Sequence, residues 1–245
     1  MTTLKCLGSG SSGNCYLLDC NGKTLILECG IKISEIKKAL DWDLRRISGV
    51  CCSHTHLDHA KSVKEFKNMG VPMFLPYEAE TKNPQKMQMR DFSVTALPML
   101  DKEMQTWQHT NGDGTECPCY AFLIEVDGQR IFYVTDTKLC VWNLKKMKLN
   151  HILIGLNYEP DMLNNEEYKT YHKLTGHLGL ETVKGIVEAN RTDSLVSVIL
   201  CHLGHDSMDV GKCIGEVQKV AGDADVSVAE CGRGWTLRAR DECPF

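Results

Sequence analysis

No apolar run in this 245-residue chain approaches the roughly 18–20 residues a helix needs to cross a bilayer, so no membrane span is expected. The opening stretch "MTTLKCLGSGSSGNCYLL" lacks a charged segment followed by a long apolar one, which argues against a signal peptide. Internal repeats, low-complexity tracts and linker-like Pro/Ser runs are also missing. Positive charge is not in excess: 28 Lys and Arg stand against 32 Asp and Glu, for a net charge of −4. The basic residues are scattered, with small clusters only at 43–46 and 143–148. A long basic track for gripping duplex nucleic acid is therefore not expected, because such affinity comes largely from neutralising phosphates. What is present is ordinary for a water-soluble globular protein, with 42% apolar and 24% charged residues.

A disulfide framework is not expected in spite of thirteen cysteines. The count is odd, the chain is long and no export signal is seen. Many cysteines lie in apolar, strand-like runs, such as Cys15 in "NCYLLDC", Cys51 and Cys52 in "GVCCS" and Cys201 in "SVILCH". Reduced and buried there, they behave as small hydrophobes, and the cytoplasm is the expected compartment. Cys117-Pro118-Cys119 is a lone C-x-C, a weak zinc signal without a second pair.

Short β-rich runs alternate with helical ones. "TTLKCLG" and "NCYLLDC" read as strands around the turn "SGSSG", and Asn21-Gly22 makes a hairpin into "KTLILEC". "SEIKKALDW" predicts a helix capped by Ser34, "RISGVCCS" a buried strand, and "AKSVKEFKNMG" a helix closed by Gly70. After the strands "VPMFLP" and "FSVTALPML" comes an irregular stretch over 101–116. "YAFLIEV" and "RIFYVTD" form a second hairpin about Asp127-Gly128. "HILIGL", "SLVSVILCH", "VSVAE" and "GWTLRAR" read as strands, with helices over "GLETVKGIVEAN" and "DVGKCIGEVQKVAG". Hairpins early and midway, with β–α alternation later in each half, predict an α/β protein of two mixed sheets covered by helices.

Three of the nine histidines and an aspartate fall within six residues of "CSHTHLDH": His54, His56, Asp58 and His59. Such a group would repel itself if protonated and serves no packing purpose, so it points to metal. The cluster follows the strand "RISGVCCS", while Asp136 and His202 end two later strands. Open α/β sheets place ligands beyond the carboxyl ends of their strands, where residues distant in sequence converge.

"HTHLDH" matches the H-x-H-x-D-H signature of the metallo-β-lactamase fold superfamily. "LGSGSSGNCYLL", "CPCYAFLIEVDGQRIFYVTDT", "NYEPDML" and "GHLGLE" resemble its YycJ-type, nuclease-like branch over nearly the whole chain. The resemblance implies a four-layer αββα sandwich, formed as one hydrolase domain over 1–245. It further implies two divalent metal ions, zinc or manganese. His54 and His56 would hold the first with His109, the only histidine between residues 60 and 150. Asp58, His59 and His202 would hold the second, and Asp136 would bridge. Where the family carries an aspartate in its first motif, "ILECG" has Glu28, which would support the site from behind the ligands. The run from His109 to the "PCY" strand is longer than the branch pattern.

The chemistry so implied is phosphodiester hydrolysis by a hydroxide shared between the ions, oriented by Asp58. His177 in "TGHLG" is the candidate proton donor, ahead of His205, while His151 and His172 read as structural or exposed. "LGSGSSGN" lacks the Lys of a P-loop and is better read as a turn. Nucleic acid is the expected substrate class. Small cyclic nucleotides are the alternative that the acidic balance favours, and a thioester or lactone is a further one. β-Lactam cleavage is disfavoured without an export signal. A binding-only role would be marked by loss of His202 or Asp136, and both are present. A homodimer is also compatible with the resemblance, with the 101–116 loop reaching a neighbour's site.

Overall fold

The computed structural model describes residues 1–79, 81–162, 174, 176–204 and 207–240. Thirteen strands form two mixed sheets among these residues. The first sheet contains β1 (Thr2–Gly8), β2 (Cys15–Cys20), β3 (Lys23–Leu27), β4 (Ile47–Cys51), β5 (Met73–Phe74) and β13 (Gly234–Leu237), in the order β13-β1-β2-β3-β4-β5. The second contains β6 (Gln85–Met89), β7 (Phe92–Pro98), β8 (Tyr120–Val126), β9 (Gln129–Val134), β10 (His151–Gly155), β11 (Ser197–Cys201) and β12 (Asp225–Val228), in the order β12-β11-β10-β9-β8-β7-β6. Each sheet is antiparallel where hairpins build it and parallel where crossovers do: β3-β4-β5 in one, β9-β10-β11-β12 in the other.

Both expected hairpins form. Asn21 (φ 50°) with Gly22 (φ 74°), and Asp127 (φ 49°) with Gly128 (φ 72°), supply the paired positive φ values that a two-residue turn needs to match strand twist. Tyr16, Leu18, Leu27, Phe122, Tyr133 and Ile199 are buried on the faces that meet between the sheets. The second sheet's outer face is covered by α4 (Leu180–Asn190) and α5 (Val210–Ala221). Leu180, Val183, Ile186 and Val187 face inward on α4, as their spacing requires. β4, β10 and β11 are buried at every position, because helices or the other sheet cover both faces. This is the αββα metallo-β-lactamase-type sandwich expected from the sequence.

Two local expectations need correction, and one strand was not expected. The first helix, α1 (Ile33–Ala39), begins one residue before Ser34, with Lys32 at the cap and no side-chain bond there. The helix expected over 60–70 is broken into α2 (Leu57–Ala60) and α3 (Val63–Asn68). Ser62 sits at the break, where its hydroxyl donates to the Ile31 carbonyl and its N–H to that of Cys29. Tertiary bonds thus replace helical ones. β6 is a polar edge strand, "QKMQM", with few of the residue types that mark strands, and pairing to β7 alone creates it. His172 and His205 lie outside the described residues.

The described cysteines are all free, and ten of them are buried. No described helix is long and apolar enough to cross a membrane.

Candidate metal centre

The centre lies where parallel strands of both sheets end. The loop after β4 carries His54 and His56, and α2 carries Asp58 and His59. Asp136 follows β9 and His202 follows β11, both from the second sheet. His109 arrives from the long connection between β7 and β8. Two sets of donor atoms result, each within 4.8 Å of one another: His54, His56, His109 and Asp136, and Asp58, His59, Asp136 and His202. Asp136 belongs to both. The structure therefore brings together all seven residues that the resemblance implies as metal ligands.

The shared carboxylate sets the spacing. Asp136 Oδ2 lies 3.4 Å from His59 Nε2, 3.5 Å from His202 Nε2 and 3.9 Å from His54 Nε2. Asp58 Oδ2 lies 3.2 Å from His202 Nε2 and 3.5 Å from His59 Nε2. His177 stands alongside, with Nδ1 3.5 Å from Asp136 Oδ1 and its ring stacked on that of His202.

Burial and charge act oppositely on these groups. Burial and the neighbouring imidazoles hold His54 well below the ordinary histidine range, and burial brings His109 down to about 3. Burial would also lower His59, but the carboxylates of Asp136 and Glu28 outweigh it and hold that ring well above its ordinary value. Asp58 and Asp136 are both held below the usual carboxylate range. Burial raises each, and is overcome for Asp58 by hydrogen bonds to His202 and His59, and for Asp136 by the charges of His202, His177 and His59. Both carboxylates are thus kept as anions.

The donor set fits divalent metal. His54 Nε2 is buried without a hydrogen-bond partner, although it points at the acidic centre. His109 Nδ1 donates to the Gly176 carbonyl at 2.8 Å, and a carbonyl only accepts, so in the neutral ring Nε2 is bare and faces the other ligands. Most rings have a partner on the outer nitrogen. Ser53 Oγ is 2.9 Å from His54 Nδ1, and Asn111 Oδ1 is 3.2 Å from His56 Nε2. Outer partners of this kind orient imidazoles for a cation.

Several supports leave no readable mark in the sequence. Asn14, in the turn read as "SGSSGN", accepts from the Gly10 N–H through Oδ1, while its Nδ2 lies 3.1 Å from His59 Nε2. Its backbone N–H donates to the Asp58 carbonyl, so the turn braces α2. Glu28 accepts from the Ser53 N–H, holding the start of the histidine loop. A Cβ on Gly176 would lie 2.8 Å from His109 Nδ1, so that glycine leaves room for the ring. Asn157 is fixed by Ser207, whose hydroxyl donates to its carbonyl. Only Glu28 was singled out from the sequence, by its place in a motif.

The sandwich and the paired histidine–aspartate sets define a protein of the metallo-β-lactamase fold with donors suited to two divalent ions. Residues 8–72 match the family model of the metallo-beta-lactamase superfamily. The chain is 27% identical to the anti-Pycsar protein Apyc1 of Paenibacillus xerothermodurans, over 30% of this chain and 34% of that protein, so the match spans about a third of the relative. Among solved structures it is similar to the metallo-beta-lactamase fold protein YhfI of Bacillus subtilis, with TM-score 0.69, 17% identity and coverage of 96% and 98% of the two chains. It is also similar to the short form of human tRNase Z, with TM-score 0.61, 12% identity and coverage of 96% and 99%.

Proposed function

We propose that this protein is a metal-dependent phosphodiester hydrolase acting on nucleic acid, of the YycJ-type branch. The observation that carries this reading is the pair of donor sets sharing Asp136. His54, His56 and His109 would hold one ion, Asp58, His59 and His202 the other, and Asp136 both. Two divalent ions bound there, zinc or manganese, supply Lewis-acid stabilisation of a phosphodiester and water activated at neutral pH. Asp58, kept ionised, accepts a hydrogen bond from the attacking water and orients it. His177, beside Asp136, donates a proton to the leaving oxygen. The buried walls exclude bulk water and strengthen each of these interactions. Polymeric nucleic acid is supported by the likeness of the fold to that of a tRNase. A small cyclic nucleotide is the second reading, supported by the net charge of −4, since a small ligand needs no long basic track.

The test is hydrolysis of single- and double-stranded oligonucleotides and a cyclic nucleotide panel, with zinc or manganese added. Asp58→Ala is expected to abolish turnover with the fold kept. His177→Ala is expected to lose about 10²–10⁴-fold in rate with metal content unchanged. Cutting of polymers supports the first reading and turnover of cyclic nucleotides alone the second. Parental rates in Asp58→Ala would refute both.

A further inference from the structure

The long connection before β8 ends in a small hairpin. A bridge between Thr110 and Glu116 closes it, the Cys117 N–H donates to the His109 carbonyl, and the Asn111 N–H donates to that of Thr115. At its tip the hydrogen-bond directions are all forced. Asp113 is an exposed carboxylate and only accepts, so the Thr115 hydroxyl must donate to its Oδ1, at 2.7 Å. That hydroxyl oxygen then accepts from Asn111 Nδ2 at 2.9 Å. The same Nδ2 faces the Glu116 carbonyl at 3.3 Å, a second group that can only accept. The Asn111 amide is therefore fixed with its nitrogen toward the hairpin and its oxygen toward His56, where Oδ1 lies 3.2 Å from Nε2. An oxygen there requires a proton on His56 Nε2, which leaves Nδ1 bare.

We propose that the Asp113–Thr115–Asn111 chain is a positioning device for His56, setting its tautomer so that Nδ1 is free to bind a cation. The consequence is visible in the centre. His56 Nδ1 lies 3.1 Å from His109 Nε2. With His109 committed to Gly176 through its other nitrogen, two lone pairs face each other at that distance. No proton is available to join them while both rings are neutral, so a cation is the group that relieves the contact. The hairpin over 110–116 is thereby part of the metal-binding apparatus. Asn111 touches no reacting atom and acts through His56. This inference rests on the two-ion reading above.

The experiment is zinc affinity of the full chain, measured by competition with a chromophoric chelator. Asn111→Leu, which removes the accepting oxygen, is expected to weaken one of two zinc ions by about 10–100-fold. Asn111→Asp keeps an oxygen toward His56 but loses the Nδ2 donor to Thr115 and the Glu116 carbonyl, and is expected to lose clearly less affinity than Asn111→Leu. Thr115→Val, at an exposed position, loosens the amide without touching His56 and is expected to fall between the two. Parental affinity in Asn111→Leu, or equal losses in Asn111→Leu and Asn111→Asp, would overturn the proposal. A parent chain that binds fewer than two zinc ions would instead overturn the two-ion reading itself.

Discussion

Two residues at the centre hold backbone angles that side chains rarely adopt. Glu28 (φ 60°) and His202 (φ 48°) both enter the left-handed region directly after their strands. The reversal turns Glu28 back beneath Ser53, and the His202 N–H toward Ser9 Oγ at 2.9 Å. Strain of this kind persists only where surrounding bonds over-determine it, and here the bonds belong to the histidine–aspartate cluster and its supports. Gly30 answers a different demand. A Cβ there would stand 1.7 Å from the Asp58 carbonyl oxygen, a backbone atom that cannot give way without moving α2. Gly30→Ala is therefore expected to destabilise the protein by about 3 kcal/mol or more, as an overpacked core position does. Urea unfolding of the variant checks this, and an unchanged midpoint would show that α2 yields freely.

At the scale of elements, the parallel strands are linked by a histidine outside the centre. His151 on β10 is 2% exposed, with Nδ1 2.8 Å from Ser197 Oγ on β11 and Nε2 2.9 Å from Gln129 Oε1 on β9. Burial pushes its pKa down to about 4. The unfolded chain takes up this proton near pH 6.5 and the folded chain only near 4. The stability contributed by the neutral ring is thus fully present above about 6.5 and lost as pH falls through 4, amounting to about 3 kcal/mol. Denaturation of parent and His151→Leu between pH 7 and 4 should show a shallower loss in the variant. The sequence reading of His151 as structural fits its place in the strands. Strands and hairpins are legible because alternation, buried runs and Asn-Gly or Asp-Gly turns are local signals. The clustering of His54, His56, Asp58 and His59 is legible because four donors are adjacent, and Asp136 and His202 because both close apolar strands. Asn14, Asn157 and Gly176 are not legible, since what they do depends on atoms 44 or more residues away. The split between α2 and α3 is hidden for the same reason, because Ser62 reaches back to Ile31.

At the scale of the whole molecule, the donors come from both halves of the sandwich. His54 to His59 follow the first sheet, while Asp136 and His202 follow the second. Ions bound between them would stabilise the folded chain alone, by mass action. Stripping metal with a chelator is expected to lower the melting temperature by about 10 °C, taking about 4 kcal/mol of linkage in a chain of this size. Differential scanning calorimetry with and without chelator measures the shift, and equal curves would mean that the donors hold no ion in solution.

A site assembled from two sheets also acts as a proofreader of its own synthesis. Neither sheet carries a full donor set, and Asp136 must meet partners more than 60 residues away on either side. A nascent or misassembled chain holds two incomplete half-sites. Only the molecule whose sheets have closed in register presents both sets entire, so completion of the centre is itself a mark that the fold is finished.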